Sequence, residues 1–418
     1  MQKTLYKHQE KVIKEASNKW GLWFRMRVGK TPTAIRLATS RAKSALIICP
    51  KGLTEQWKSE IKQWCDVDDY EFKIISKETF RRDWDKLKRY DAVIIDECHR
   101  AFANYKSQLF RAGYNYLEKH NNQYLWLLSG TPFTATSWSV YSYGKLMGKS
   151  WDWHHWFRTF FYTVKMGKRS IPVPRKGMDD KLQLILKNIG TVIDLKDVTE
   201  VVDDEDIFEY FDINKEQKKV IDNLTDTASI VKYTHIHEIE SGVLKSDGYN
   251  DDLQIECDKD KRIMELVEET DKIIIVARYL SQIDKYAKLL VKKNLFVIRG
   301  GTTETASEIA VRAEKSDKAV LLIQGDTCDG YSLKSFDLTV FASLSYSFVN
   351  YDQIRFRTKA MDKKTPNTYI NLITRDKTIS NFRCSMDQAV YNSVSKKQDF
   401  SIKLYERKRL CKRVSKVA

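Results

Sequence analysis

The chain lacks the segments that direct a protein into a membrane or out of the cell. No run of about eighteen apolar residues occurs in it, and its N-terminal MQKTLYKHQEKVIKEA has no apolar signal core. We therefore expect neither membrane insertion nor secretion. The seven cysteines are scattered and form no CxxC pair, so neither a disulfide framework nor a zinc ribbon is indicated. A reducing cytoplasm fits best, which would be the host cytoplasm if the protein is viral.

Acidic residues are in deficit. Lys and Arg number 72 against 56 Asp and Glu, which gives a formal net charge of +16. Such a balance favours a polyanionic partner such as nucleic acid over a small acidic ligand. The chain also has no internal repeat and no low-complexity tract. Its composition is that of a globular protein with two or three domains.

Residues 1–135 contain short apolar runs separated by helix-like segments such as LTEQWKSEIKQW. These runs are SALIICP at 44–50, FKIIS at 72–76, DAVIIDE at 91–97 and YLWLLSG at 124–130. Continuous apolar runs of this length are typical of buried parallel strands. Their alternation with helices predicts a doubly wound α/β sheet.

A second series of apolar runs lies within residues 261–395 and predicts a second α/β domain. Its members are KIIIVAR at 272–278, LFVIRGG at 295–301, AVLLIQG at 319–325 and LTVFASL at 338–344. Residues 136–260 carry no comparable runs and are aromatic, then basic, then acidic. We interpret them as helical protrusions, a basic loop and the interdomain connection, and residues 396–418 as a basic tail.

A phosphate-binding loop is indicated at WFRMRVGKTPTAI, residues 23–35. GLWF can form the preceding strand and TPTAIRLATS the following helix, with Pro32 tolerated in its first turn. Lys30 could reach the β- and γ-phosphates, and the Thr31 hydroxyl could hold magnesium. By itself Gly29-Lys30-Thr31 is as consistent with chance in a lysine-rich chain as with a nucleotide site.

An acidic pair supports the nucleotide site. Asp96 and Glu97 stand at the C-terminal end of a strongly apolar run, the edge where α/β sheets bind their ligands. Such an aspartate can hold the magnesium of a nucleoside triphosphate, and the adjacent glutamate can deprotonate the attacking water. A solvated turn is the alternative, and the phosphate loop upstream makes it much the weaker one.

With these motifs the chain resembles the superfamily-two helicases, whose second motif DExH corresponds to Asp96-Glu97-Cys98-His99. The resemblance implies two RecA-like lobes that bind ATP and Mg2+. It assigns Gln9, Arg27, Gly29, Lys30, Thr31, Asp96 and Gln353 to the nucleotide, with Thr31 and Asp96 on the metal, and Lys30, Asp96, Glu97 and Arg357 to catalysis. It assigns His99, motif III (Ser129, Gly130 and Thr131) and Gly330 to coupling. This family's loop usually reads GxGKT, so Arg27 replaces a glycine and must either point outward or touch the nucleotide.

Residues 326–360 resemble the family's motifs V and VI, in which the second lobe supplies arginines to the γ-phosphate. Gln353 and Arg357 fit the first part of QxxxRxxR, whereas Ala360 stands where the second arginine is expected. A guanidinium there would stabilise charge on the transferring phosphoryl oxygens. Arg357 is therefore the expected arginine finger, with Arg355 and Lys359 as alternatives.

Candidate nucleic-acid contacts are basic or small residues near the expected strand ends and in the segment KMGKRSIPVPRKG. They are Lys51, Gly52, Thr134, Lys168, Arg169, Arg175 and Arg299. A motor that steps along any sequence grips the phosphate backbone rather than base edges. The basic segment is equally consistent with a loop or hairpin that lies along or wedges into a duplex and with a loop that is merely solvated. In YTHIHEIE, His235 and His237 would share a strand face, but no third ligand follows at metal spacing.

Among superfamily-two members, the chain most resembles the Swi/Snf-related ATPases. In its compactness it resembles their minimal bacteriophage and prokaryotic members. The features are His99-Arg100 followed by Asn104, the SGTP sequence, and the acidic segment before the second domain. This resemblance implies a translocase that tracks duplex or branched DNA independently of sequence. An RNA helicase of the same superfamily and a DNA-binding module with a degenerate ATPase site stay open as alternatives.

Overall fold

The computed structural model divides the chain into two compact units, residues 1–201 (the N-terminal unit) and residues 202–418 (the C-terminal unit). It describes residues 4–132, 138–166, 169–175, 177–199, 202–225, 229–246, 252–327, 330–360, 363–375, 385–396 and 400–402. Each unit contains a parallel sheet of six described strands with helices between them. The predicted α/β fold is confirmed for both units.

The N-terminal unit is built on a sheet with strand order β3-β2-β4-β5-β1-β8. The strands are β1 (Lys19–Phe24), β2 (Ser44–Cys49), β3 (Glu71–Ser76), β4 (Ala92–Ile95), β5 (Tyr124–Leu128) and β8 (Gly190–Ile193). The helices are α1 (Lys7–Glu15), α2 (Lys30–Arg41), α3 (Thr54–Trp64), α4 (Lys77–Asp83), α5 (Cys98–Ala101), α6 (Gln108–His120), α7 (Trp138–Leu146), α8 (Trp153–Phe160) and α9 (Asp179–Asn188). The central strands β2 and β4 are buried almost throughout, because helices cover both faces of the sheet.

An antiparallel hairpin follows α8 and consists of β6 (Phe161–Met166) and β7 (Arg169–Pro174). The described residues of the basic segment up to Pro174 belong to the two strands of this hairpin. Half-buried aromatic rings of α7 and α8, among them Trp138, Trp153 and Phe157, pack against the core of the N-terminal unit. The aromatic segment at 151–157 therefore serves mainly to pack against the hydrophobic core.

The C-terminal unit is built on a second sheet with strand order β13-β14-β12-β15-β16-β9. The strands of this unit are β9 (Glu205–Asp212), β10 (Val243–Leu244), β11 (Leu253–Gln254), β12 (Lys272–Ala277), β13 (Leu295–Ile298), β14 (Ala319–Gln324), β15 (Leu338–Phe341) and β16 (Thr368–Arg375), of which β10 and β11 form a separate antiparallel pair. The helices are α10 (Lys215–Asp222), α11 (Ser229–Glu240), α12 (Asp258–Glu269), α13 (Leu280–Leu289), α14 (Ala306–Lys315), α15 (Phe348–Arg357) and α16 (Met386–Val394).

Two expectations about residues 136–260 are wrong: that this range adds no strand to the sheets, and that His235 and His237 share a strand face. Strands β8 and β9 lie in this range, and each forms an edge of one of the large sheets. Neither has a continuous apolar run, because an edge strand is only partly covered. His235 and His237 lie in helix α11 rather than on a strand, so their alternating spacing does not put them on one strand face.

Candidate nucleotide-binding site

The phosphate loop joins the buried strand β1 to helix α2. Gly29 is the N-cap of α2 and has φ 83°, a left-handed conformation that glycine adopts without steric cost. Gln9 is 1% exposed, and its Nε2 donates to the Gly29 carbonyl at 3.1 Å. A Cβ at position 29 would lie 2.2 Å from that Nε2. Position 29 thus favours glycine for two reasons, its positive φ and the close approach of the Gln9 side chain. The hydrogen bond from Gln9 fixes the loop backbone.

Arg27 keeps the loop in the shape that a glycine would give it. This half-buried residue has φ 69°. A residue with a Cβ costs about 1–2 kcal/mol in the left-handed region. The departure from GxGKT therefore changes the side chain at position 27 while the backbone stays in a conformation typical of glycine.

Lys30 and Thr31 open helix α2, whose first turn contains no acidic residue. The Lys30 Nζ donates to the Phe24 carbonyl at 3.0 Å. A Cβ added to Gly130 would lie 3.4 Å from the same Nζ, so the segment after β5 runs close to the lysine. A helix N-terminus with an adjacent lysine is suited to bind phosphate.

The acid pair lies at the C-terminal end of β4, and both residues are buried, with 6% exposure for Asp96 and 8% for Glu97. The Asp96 Oδ1 accepts the Glu97 amide at 2.9 Å, and its Oδ2 accepts the Trp57 indole Nε1 at 2.9 Å. Glu97 has φ 45° and ψ 49°, again left-handed. Backbone strain of this kind persists only where the surroundings enforce it, and it is found most often at functional sites.

The pKa values of the two carboxyl groups are shifted in opposite directions. Burial raises the pKa of Asp96 to about 6, and the Glu97 carboxylate adds to the rise. Burial alone would also raise the pKa of Glu97, but His99 and the surrounding basic side chains bring it below its usual value. At neutral pH Glu97 is therefore ionised, as a general base must be.

His99 connects the acid pair to the segment after β5. Its Nδ1 lies 2.9 Å from Ser129 Oγ and 3.2 Å from Glu97 Oε2, and Ser129 Oγ also accepts the Thr131 amide at 3.1 Å. Burial lowers the pKa of His99 to about 4, although Glu97 opposes this. The imidazole is therefore neutral at pH 7. If its single proton is on Nδ1, this N–H can donate either to Ser129 or to Glu97.

Three polar atoms of this site are buried and make no hydrogen bond within the described part of the chain, although His99 Nδ1 lies 3.2 Å from the first of them. They are Glu97 Oε2, His99 Nε2 and Thr131 Oγ1. Buried polar atoms are nearly always hydrogen-bonded in folded proteins, so unpaired ones point to a missing ligand or water. Together with Lys30 and the N-terminus of α2, they fit a bound nucleoside triphosphate and its attacking water.

Two side chains that the sequence did not indicate as site residues also contact the acid pair. Trp57 of α3 donates to Asp96, and Lys77 at the start of α4 donates from Nζ to the Glu97 carbonyl at 2.7 Å. A single indole in an amphipathic helix is typical of a core residue, so the local sequence did not point to Trp57. Nothing in the local sequence pointed to Lys77.

In the C-terminal unit, the residues predicted from motifs V and VI lie together. Arg357 is 8% exposed, its Nη1 donates to the Tyr331 carbonyl at 3.0 Å, and its own carbonyl accepts the Leu333 amide at 2.9 Å. Gly330 precedes this contact with φ 82°, and Gln353 is buried in α15.

The two alternatives to Arg357 are held by acidic residues. Arg355 pairs with Asp206 at 2.8 Å, and Lys359 pairs with Asp204. Arg355 also lies 4.0 Å from the centre of the Tyr369 ring. Both cations therefore stabilise the end of the sheet where β9 begins.

The predicted nucleic-acid contacts have different surroundings. Lys51 and Gly52 are exposed in a 3-10 turn that follows β2. Arg175 is exposed, and its Nε donates to the Arg158 carbonyl at 3.1 Å. Arg299 follows β13 and forms an ion pair with Asp284. Thr134, Lys168, the Arg169 side chain and the basic tail from residue 403 onward lie outside the described residues.

Among the described residues, no helix is long and apolar enough to cross a membrane. No group of three or more His, Cys, Asp or Glu side chains there could hold a metal ion. In nucleotide sites Mg2+ is usually bound by one or two carboxylates together with the phosphates and water. Asp96 and the Thr31 hydroxyl would be sufficient protein ligands for that purpose.

Each unit is a RecA-like α/β lobe. No family model matches the chain, and no curated protein does. A solved structure, the helicase domain of Hef from Pyrococcus furiosus, is similar over 93% of this chain and 97% of that chain, with a TM-score of 0.53 and 13% identical residues. At this identity the similarity concerns the fold, which is shared with a helicase domain.

Proposed function

We propose that this chain is an ATP-dependent DNA translocase or helicase related to the Swi/Snf ATPases, and that it acts in the cytoplasm. It would couple ATP hydrolysis to movement along duplex or branched DNA. The observation that carries the proposal is the buried Glu97, whose Oε2 makes no hydrogen bond within the described residues, in the same unit as a phosphate loop whose backbone is left-handed at Arg27 and Gly29.

Binding of the nucleotide is proposed to rest on the N-terminal unit. Lys30 would leave the Phe24 carbonyl for the β- and γ-phosphates, and Thr31 and Asp96 would hold Mg2+. When bound, Mg-ATP supplies the transferable phosphoryl group and a cation that offsets its charge. The elevated pKa of Asp96 favours this role, because a divalent cation is the partner that would stabilise its ionised form.

Glu97 is proposed as the general base. An ionised carboxylate with an unpaired oxygen can orient a water molecule and accept its proton during attack on the γ-phosphorus. Neutral His99 can donate through Nδ1 to either Ser129 or Glu97, and this choice links motif III to the base. We propose that His99, Ser129, Gly130 and Thr131 in this way couple hydrolysis to the state of the bound nucleic acid.

Arg357 is proposed as the arginine that stabilises the charge on the transferring phosphoryl oxygens, with Gln353 beside the nucleotide and Gly330 in the coupling segment. The support is chemical, since Arg357 is a buried guanidinium next to the motif V backbone and its basic neighbours are paired to Asp204 and Asp206. The guanidinium fork suits phosphate oxygens better than an ammonium group does.

DNA is proposed as the polymer on the basis of the net charge of +16 and the Swi/Snf-like features. The exposed turn at Lys51 and Gly52 and the hairpin that carries Arg169 and Arg175 offer contacts to a phosphate backbone. Such contacts are independent of base sequence and weaken with salt.

The test is ATP turnover with Mg2+ in the presence of duplex, forked, four-way or single-stranded DNA, or of single-stranded RNA. Duplex or branched DNA should stimulate the wild-type protein. Glu97→Gln should lower turnover by roughly 10²–10⁴-fold with nucleotide binding retained, since it removes the base and keeps the shape. Glu78→Gln, an exposed glutamate in the neighbouring helix α4, is the matched control and should behave as wild type.

The other outcomes are distinct. Stimulation by RNA alone would replace the DNA motor with an RNA helicase. Nucleotide binding without turnover on any nucleic acid would instead indicate a binding module with a degenerate ATPase site. Full turnover in Glu97→Gln would remove the assignment of the base.

A further inference from the structure

Lys77 is a buried lysine that reaches the acid pair from a neighbouring part of the sheet. It is 6% exposed and stands directly after β3, whereas Glu97 stands after β4, with β2 between the two strands. The position of Lys77 is set locally, because Ser76 caps α4 by accepting the Thr79 amide at 3.1 Å. The Lys77 side chain therefore starts from a fixed point.

The contact falls on the backbone of Glu97, which is the part that needs support. With φ 45° this residue is left-handed without being a glycine, and such a conformation is maintained only by specific partners. Its amide donates to Asp96 Oδ1 at 2.9 Å. Its carbonyl accepts Lys77 Nζ at 2.7 Å and the Arg100 amide at 3.2 Å. Of these contacts, only that of Lys77 comes from a distant part of the chain, the start of helix α4.

The charge of Lys77 also suits this place. Asp96 and Glu97 are neighbouring buried carboxylates, and Lys30 belongs to the phosphate loop, where the nucleotide would compete for it. An ammonium group behind the acid pair offsets negative charge that would otherwise be buried without compensation. A lysine that served only the core would not be needed at the carbonyl of Glu97, a residue whose carboxylate Oε2 makes no hydrogen bond within the described residues.

We propose that Lys77 is a positioning residue of the nucleotide site, which holds the Glu97 peptide in its left-handed conformation and thereby directs the Glu97 carboxylate at the attacking water. This rests on the proposed ATPase function. It makes Lys77 act through Glu97 on the rate of hydrolysis, with little effect on nucleotide binding.

The test compares kcat and KM for ATP in wild type, Lys77→Met and Lys77→Arg. Lys77→Met removes the donor and should lower kcat by about 10–100-fold while KM changes less than about threefold. Lys77→Arg keeps a charged donor in a different geometry, so its kcat should fall between those of wild type and Lys77→Met. Lys73→Met, an exposed lysine on β3, is the matched control and should keep wild-type kinetics.

A double mutant separates positioning from a purely structural role. If Lys77 acts through Glu97, then Lys77→Met should have no further effect on the residual turnover of Glu97→Gln. An equal fold-loss in both backgrounds, or a wild-type kcat in Lys77→Met, would overturn the proposal. If Lys77→Met does not fold, Lys77→Arg decides: a severalfold lower kcat at an unchanged melting temperature supports the proposal, and a wild-type kcat refutes it.

Failure of the proposed function would look different. A wild-type protein without nucleic-acid-stimulated turnover would contradict both ideas at once, whereas normal wild-type turnover with active Lys77→Met would contradict only the role of Lys77.

Discussion

Each unit buries a cluster of charged and imidazole side chains, and the two clusters differ in how their polar atoms are bonded. The acid-pair cluster of the N-terminal unit consists of Lys77, Asp96, Glu97 and His99. The core cluster of the C-terminal unit consists of His237, Glu240, Lys259 and Asp387. Both contain one lysine, one histidine and two carboxyl groups, all buried, so their composition alone does not distinguish them.

In the core cluster the carboxylates have a full set of partners. Asp387 Oδ1 accepts His237 Nε2 at 2.9 Å, while its Oδ2 accepts Lys259 Nζ and the Thr374 amide. Burial alone would raise the pKa of Asp387, but Lys259 and His237 hold it well below its usual range. Asp387 thus stays ionised and is fully paired.

Glu240 completes the core cluster. Its Oε1 accepts the Met386 amide at 3.0 Å and its Oε2 the Asp387 amide at 2.8 Å. Burial raises the pKa of Glu240 to about 8, and the Asp387 charge adds to the rise. The Glu240 carboxyl group binds the start of α16 and so joins this helix to α11. The core cluster therefore has a structural role, which is to hold α11 and α16 together.

The acid-pair cluster has unpaired acceptors where the core cluster has none among the described residues, and it also carries backbone strain. The non-glycine residues with left-handed φ in the described chain are Arg27, Asp69, Glu97 and Asn121, and two of these belong to the candidate nucleotide site. Unpaired polar atoms and strain at one place indicate function, whereas full pairing indicates stability. Each of the following predictions tests this difference.

The largest effect on ATP turnover is expected from a substitution of Arg357. If the core cluster of the C-terminal unit is purely structural, the catalytic residue of this unit lies outside the cluster, and Arg357 is our candidate. Arg357→Ala should lower ATP turnover by about 10³-fold or more, as expected for loss of an arginine finger, with ATP binding retained. The measurement is steady-state turnover together with nucleotide binding. Arg355→Ala is the control, since Arg355 pairs with Asp206. If Arg355→Ala alone abolished turnover, the catalytic role would move to Arg355.

Lys259→Met should give the next largest effect, and on stability rather than rate. Removal of one partner from a buried ion pair typically costs about 3–5 kcal/mol, because the remaining charge is left partly uncompensated. Urea denaturation should show this loss in the free energy of unfolding, while turnover of the folded protein at low temperature stays within a few-fold of wild type. A stable Lys259→Met protein with no turnover would mean that the core cluster is functional.

The fold was predictable where strands are buried on both faces. Strands β2, β4, β12 and β14 are continuous apolar runs, and the sequence indicates each of them. Strands β8 and β9 are edges with mixed polarity, and β16 contains Asn371 and Thr374 within its run. These strands escape an apolar-run criterion because tertiary contacts, rather than local composition, make them strands.

The site was predictable where function is carried by residues adjacent in sequence. Lys30, Thr31, Asp96 and Glu97 belong to short motifs, whereas Trp57 and Lys77 reach the acid pair across neighbouring strands. Contacts of that kind depend on sheet order and side-chain direction, which a single sequence does not specify. The same limit hid the pairing of His237 with Asp387, which is 150 residues away in sequence.

A smaller effect is expected from pH, through His99. Its pKa of about 4 in the folded protein lies below the usual value of 6.5, so its contribution to stability is full above pH 6.5 and is lost as the pH falls towards 4. From pH 7 to pH 5 it should cost roughly 2 kcal/mol of the free energy of unfolding.

His99→Gln should lack that part of the acid destabilisation. The measurement is chemical denaturation at both pH values in Mg-free buffer, where the difference between wild type and variant isolates His99 from Asp96. His154→Gln, an exposed histidine in α8, should retain the wild-type difference. An equal pH dependence in wild type and His99→Gln would mean that the imidazole is not held neutral by burial.

The smallest effect concerns the strain at Arg27. Arg27→Gly relieves a left-handed residue but adds freedom to the unfolded chain, so the protein should be about as stable as wild type, and about 1 kcal/mol more stable than Arg27→Ala, which keeps a Cβ at φ 69°. If the guanidinium binds the nucleotide, both variants should raise the KM for ATP to a similar extent. If KM is unchanged in both, the side chain points away from the nucleotide, and the strain at position 27 then serves only the shape of the loop.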